Sequence, residues 1–175
     1  MARPRVFVSS TYYDLKHLRA SLESFIESLG YDAVLSEKGN IAYNPELPLD
    51  ESCYREVLNT DIFVLIVGGR YGAEKSDSKG RVPEGFFERY DSITKEEYRR
   101  AVEKDIPIYV LVEKSVYSDY ETYLQNKANK TVKYPHVESE NIFLFLEAIL
   151  GQARNNALQQ FDRYAEIEGW LNSPW

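Results

Sequence analysis

Six consecutive apolar residues, Ile62 to Val67 in 61-DIFVLIVGG-69, constrain the fold more than any other feature of this chain. An unbroken apolar run bounded by Asp61 and Gly68 reads as a central strand buried on both faces. Such strands belong to parallel sheets covered by helices on each side. The segment 106-IPIYVLV-112 reads the same way, with Pro107 at its start, where a missing donor matters least. Two further strands are expected, a β-branched one at 5-RVFVSS-10 and a weaker one at 31-YDAVLS-36.

Helical patterns fill the intervals. In 13-YDLKHLRASLESFIESLG-30, Leu15, Leu18, Leu22, Phe25, Ile26 and Leu29 recur at helical spacing, and Gly30 is a natural stop. A loop punctuated by Gly39, Pro45 and Pro48 covers 37–50, and a short helix is expected at about 50–59. Residues 70–92, rich in Gly, Ser and charge, read as a long loop of the kind that is often functional. A helix follows, carrying 92-SITKEEYRRAVEK-104 and taken to start near Ser92 or Thr94. Beyond it lie a polar helix over 117–130 and one or two helices across 140–175. A short strand is expected near Lys133 to His136 or around Ile142 to Phe145.

This alternation predicts one α/β domain over 1–175, a mostly parallel sheet with helices on both faces. Its core spans about 5–150, with a helical extension over about 151–175. Right-handed crossovers place the first, third and fourth strands at the centre. The chain ends at Trp175 without a polar tail, which suits either a native terminus or the first part of a longer protein.

Composition removes several function classes. A net charge of −7 argues against a general nucleic-acid binder and leaves room only for a local basic pocket. The single cysteine, Cys53, excludes an internal disulfide framework, and His17 and His136 lack metal-ligand spacing, so neither a metal enzyme nor a cofactor is expected. No segment approaches the ~18–20 apolar residues that span a bilayer, and the N-terminal apolar run is too short for a signal peptide. The expectation is a cytoplasmic protein with no membrane partner. The GxGxxG, Walker A and GxSxG patterns are all absent.

Ligands of parallel sheets bind beyond the carboxyl ends of the strands, where strand order reverses. Three unusual segments meet at that edge: Ser9-Ser10-Thr11, the Gly68-Gly69-Arg70-Tyr71 turn, and the entry to the helix of Glu97. Ser9, Ser10 and Thr11 can hold a phosphate at a helix N-terminus, or Ser10 or Thr11 can simply cap that helix. Gly69 lets the backbone pass close to a ligand, Arg70 can pair with phosphate and Tyr71 can stack on a base. The alternative is a plain turn, with Arg70 on the surface or tied to Asp61. Tyr12 and Tyr13 flank the same edge, as stacking walls or as covers for the core.

The adjacent acids Glu96 and Glu97 have different surroundings. Ile93, Glu97 and Ala101 form one stripe at i, i+4 and i+8, bordered by Tyr98 and Val102, and that stripe faces the sheet. Glu96 instead pairs with Arg100 on the solvent side. An inward carboxylate needs partners or water. One source is a capping box over Thr94 to Glu97. The other is a ligand cleft, where Glu97 accepts hydrogen bonds from ribose hydroxyls and stabilises an oxocarbenium-like transition state.

RVFVSSTYYDL, DIFVLIVGGRYG and SITKEEYRRAVEKDIPIYVLV together resemble the bacterial domain of unknown function 4062, across roughly residues 5 to 112. That group resembles the wider superfamily of Toll/interleukin-1 receptor (TIR) domains and nucleoside deoxyribosyltransferases. The resemblance implies a flavodoxin-like three-layer sandwich with a five-stranded parallel sheet. It implies cleavage of an N-glycosidic bond in NAD or a nucleoside, with Glu97 at the position of the enzymes' glutamate. Ser9, Ser10, Thr11 and Asp14 match the family's strand-one loop. NAD is then a candidate substrate, the setting bacterial anti-phage defence, and the partners further copies or domains of the same protein. The tryptophan-cysteine pair of NAD-cleaving TIR domains and the deoxyribosyltransferase Gly-Thr motif are absent, and the alternatives are a deoxyribosyltransferase-like enzyme or a non-enzymatic assembly or nucleotide-sensing module.

Overall fold

The computed structural model describes residues 2–10, 16–35, 57–68, 86–137, 140–154 and 157–172. The strands are β1 (Arg5–Ser10), β2 (Asp32–Leu35), β3 (Ile62–Val67), β4 (Ile108–Glu113) and β5 (Ala157–Phe161). The helices are α1 (Lys16–Ser28), α2 (Phe86–Glu103), α3 (Lys114–Gln125), α4 (Asn141–Leu150) and α5 (Tyr164–Asn172). All strand pairs are parallel, in the order β2-β1-β3-β4-β5. This is the α/β, flavodoxin-like sandwich expected from the sequence, with β1, β3 and β4 in the middle.

The central strands are apolar throughout because both of their faces are covered. Phe63, Leu65 and Val67 of β3 enter one core with Phe7, Val110 and Val112, beneath α2, α3 and α4. Val64 and Ile66 enter the other with Val6, Val8 and Leu111, against α1 and α5. Phe63 through Val67 are each 0% exposed. Burying one such side chain contributes about 1.5–3 kcal/mol relative to leaving it in water, so β3 anchors both layers.

Two helices end in the same way. After α1, Gly30 adopts φ 87°, its N–H donates to the Glu27 carbonyl at 3.0 Å and the Tyr31 N–H to the Ile26 carbonyl at 3.2 Å. After α2, Asp105 adopts φ 59°, its N–H donates to Val102 at 3.0 Å and the Ile106 N–H to Ala101 at 3.1 Å. Both are Schellman caps, which satisfy carbonyls that a helix end leaves without partners.

Two expectations are corrected. The fifth strand lies neither at 133–136, which is irregular, nor at 142–145, which is inside α4. It is Ala157–Phe161, in a segment expected to be helical. An edge strand is covered less than a central one, so Gln159 and Gln160 are tolerated and no continuous apolar run marks it. The helix of Glu97 starts at Phe86, well before Ser92. After Gly85 nothing breaks a helix before Pro107, and the modest cost of Asp91 and Ser92 within it is a few tenths of a kcal/mol each. No helix among the described residues is long and apolar enough to cross a membrane.

Candidate functional site

Strand order sets the position of the site. The connection from β1 to β2 goes to one side and β3 lies on the other, so order reverses between β1 and β3. Ser9 and Ser10 close β1 at that point, in register with Leu65 and Ile66. Side chains alternate along a strand, so Ser9 shares the face of Phe7, which α2 covers, and Ser10 shares the face of Val8. Both serines are buried, at 0% and 2% exposure.

Helix α2 is tied to this strand end. The Thr94 hydroxyl donates to the Ser10 carbonyl at 3.0 Å, across 84 residues of chain, in a buried setting. Thr94 therefore lies level with the carboxyl end of β1. Residues 86–93 precede it as helix, about 12 Å at 1.5 Å per residue, and rise past the sheet. The capping-box interpretation of Thr94 and Glu97 fails for this reason, because both lie inside the helix.

One turn further along α2, Glu97 is 0% exposed, as is Ala101 at the next position of the inward stripe. Glu97 thus faces inward, as its spacing implies, on the sheet face that also carries Ser9. Glu96 faces the other way. Arg99 donates to it from Nε at 2.9 Å and from a terminal nitrogen at 2.5 Å, and Arg100 from Nε at 3.1 Å. The Arg99 hydrogen bonds, followed by those of Arg100, hold the Glu96 carboxyl down at about 2 against the raising effect of desolvation. Arg99 also pairs with Glu103, extending a solvent-facing ladder of charge.

The structure thus brings Ser9, Ser10 and Glu97 to one edge, joined by Thr94, a residue that spacing alone had assigned to a cap. Its signal was available: a hydroxyl three residues before an inward acid, on the same side of the helix. Thr11, Tyr12, Asp14, Gly69, Arg70 and Tyr71 lie outside the described residues. Asp61 is engaged at the opposite, amino end of the sheet, where its carboxylate accepts the Arg5 N–H at 2.8 Å. A second buried acid, Asp119 on α3, accepts the His136 N–H at 2.9 Å and pins the chain after α3.

Chemically, the layer beneath α2 offers an acid and the hydroxyls of Ser9 and Thr94, with Ser10 on the other face of the sheet. Apolar packing alone does not call for such groups, and burying them costs free energy unless they are hydrogen-bonded. A search of curated proteins finds no match. The family model described as domain of unknown function (DUF4062) matches residues 5–175, which carries the likeness past β4 and through the last strand and helix. The chain therefore belongs to the DUF4062 family.

Proposed function

We propose that this domain cleaves the N-glycosidic bond of NAD or a related nucleotide, with Glu97 as the catalytic carboxylate, in bacterial anti-phage defence. The observation that carries the proposal is a completely buried acid on the face of α2 that meets the end of β1. The TIR-like pattern of the sequence supplies the reaction class. The C1′–N bond breaks, its electron pair leaves with neutral nicotinamide, and Glu97 stabilises the cationic ribosyl group. Water then adds at C1′ and releases its proton to solvent. A fixed negative group beside developing positive charge is the main means by which such sites lower the barrier. With Glu97 at 0% exposure, turnover starts with an opening that admits the ribose. Assembly with further copies of the chain supplies that opening.

The same burial favours a second interpretation, a non-enzymatic module in which Glu97 only organises the interior. Incubation of the purified protein with NAD, followed by chromatography of free nicotinamide, separates the two. Glu97→Gln should lower release by about 100-fold or more. Glu96→Gln, which alters a solvent-facing ladder, should stay within about twofold. No release from the parent protein selects the non-enzymatic module, and equal loss in both variants while circular dichroism stays native, or loss in neither, defeats the assignment of Glu97.

A further inference from the structure

The sheet ends at β5, which pairs with β4 on one side and stands last in the strand order. Which of its backbone groups point outward follows from the neighbouring register. The Phe63 N–H donates to the Pro107 carbonyl at 2.9 Å, so residue 107 turns its backbone toward β3. Backbone groups alternate in direction along a strand, so Ile108, Val110 and Val112 turn theirs toward β5. Val110 is in register with Leu158 and, in a parallel ladder, bonds the residues on either side of it. Ala157 and Gln159 thus face β4, and Leu158 and Gln160 direct their N–H and C=O groups outward. Among the described residues, what meets this edge is the strand's own Gln159 side chain. Its Nε2 donates to the Gln160 carbonyl at 3.4 Å, a long bond in an exposed setting.

Edge strands are usually kept from pairing with other chains by charges, prolines or bulges. The five residues ALQQF contain neither a charge nor a proline, in a chain of net charge −7. Their register with β4 runs without a bulge, and Ala157 and Gln159 are exposed. The other edge differs, because β2 opens with an exposed Asp32.

The strand also suits its own copy. Two identical edges related by a two-fold axis meet antiparallel. With the axis at Gln159, Leu158 of one copy exchanges both hydrogen bonds with Gln160 of the other, and the reverse. Ala157 then lies opposite Phe161, small against large. Gln159 lies opposite itself in a non-hydrogen-bonded pair, where Cα atoms approach to ~4.5 Å and side chains are closest. An amide both donates and accepts, so glutamine complements its own copy as a charged side chain does not.

We propose that β5 is a self-association edge, at which two copies of this chain join their sheets antiparallel about Gln159. Five residues make a small interface, of the weak class below ~1,200 Å², so the dimer exchanges with monomer. The inference rests on β5 alone and holds whether or not the domain is an enzyme.

Sedimentation equilibrium of the full chain should fit a reversible dimer with a dissociation constant on the order of 1–100 μM. Gln159→Lys sets two cations against each other at the axis, and Gln159→Glu two carboxylates. Each should weaken dimerisation about threefold or more at low salt. An equimolar mixture of the two variants should associate about threefold or more tightly than either alone, because opposite charges then meet. Gln159 is exposed and its backbone stays bonded to β4, so both variants keep the fold, which circular dichroism checks. A parent protein that stays monomeric up to about 1 mM, a dimer that both variants leave intact, or a mixture no tighter than its parts overturns the proposal.

Discussion

Threonine within a helix often returns its hydroxyl to a carbonyl one turn back. Thr94 instead reaches a different element, and its bond to Ser10 is buried. Replacement by valine keeps the β-branched shape and removes only the donor. Thr94→Val should destabilise the fold by about 1–2 kcal/mol, read as a lower urea midpoint with an unchanged slope. At this scale the sequence was legible where spacing alone decides. The inward turn of Glu97 and the outward turn of Glu96 follow from which residues stand four positions away. The inward side of Thr94 was legible too, but its partner on β1 was not. It depends on where α2 begins, and the Gly-, Ser- and charge-rich stretch before it conceals that start.

At the scale of elements, the two Schellman caps make a matched pair with different chemistry. Glycine takes φ 87° after α1 without strain, whereas Asp105 takes φ 59° after α2 at some cost. A Cβ added at Gly30 meets nothing within 4 Å, so a substitution there probes backbone conformation alone. Gly30→Ala should lower stability by about 1 kcal/mol, and Gly30→Asn by less, since asparagine tolerates the left-handed region better. Thermal unfolding of the two variants measures the difference. Gly30 announced its cap because glycine is the usual residue there, and Asp105 did not because aspartate is not. The same asymmetry hid β5: four strands announce themselves by apolar residues, and the fifth, half-covered at the edge, carries glutamines instead.

The whole molecule rests on a sheet that separates two cores, and β3 contributes to both. Phe63 stacks on Phe7 with centroids 5.6 Å apart and rings within 7° of parallel. Phe63→Ala should remove about 3–5 kcal/mol, enough to bring a domain of ordinary stability close to its unfolding threshold at ambient temperature. Denaturant titration followed by circular dichroism reads this directly. The architecture was legible because two unbroken apolar runs require covering on both faces. The parallel order has a kinetic consequence as well. Arg5 meets Asp61, 56 residues along the chain, and no β1–β3 contact can form before the intervening loop closes. Such distant pairings delay the reward for closing loops, and mixed domains built from them fold more slowly than helical bundles. On the ribosome, β1 emerges before β3, and until β3 arrives the edge that it will cover is open to the wrong neighbour.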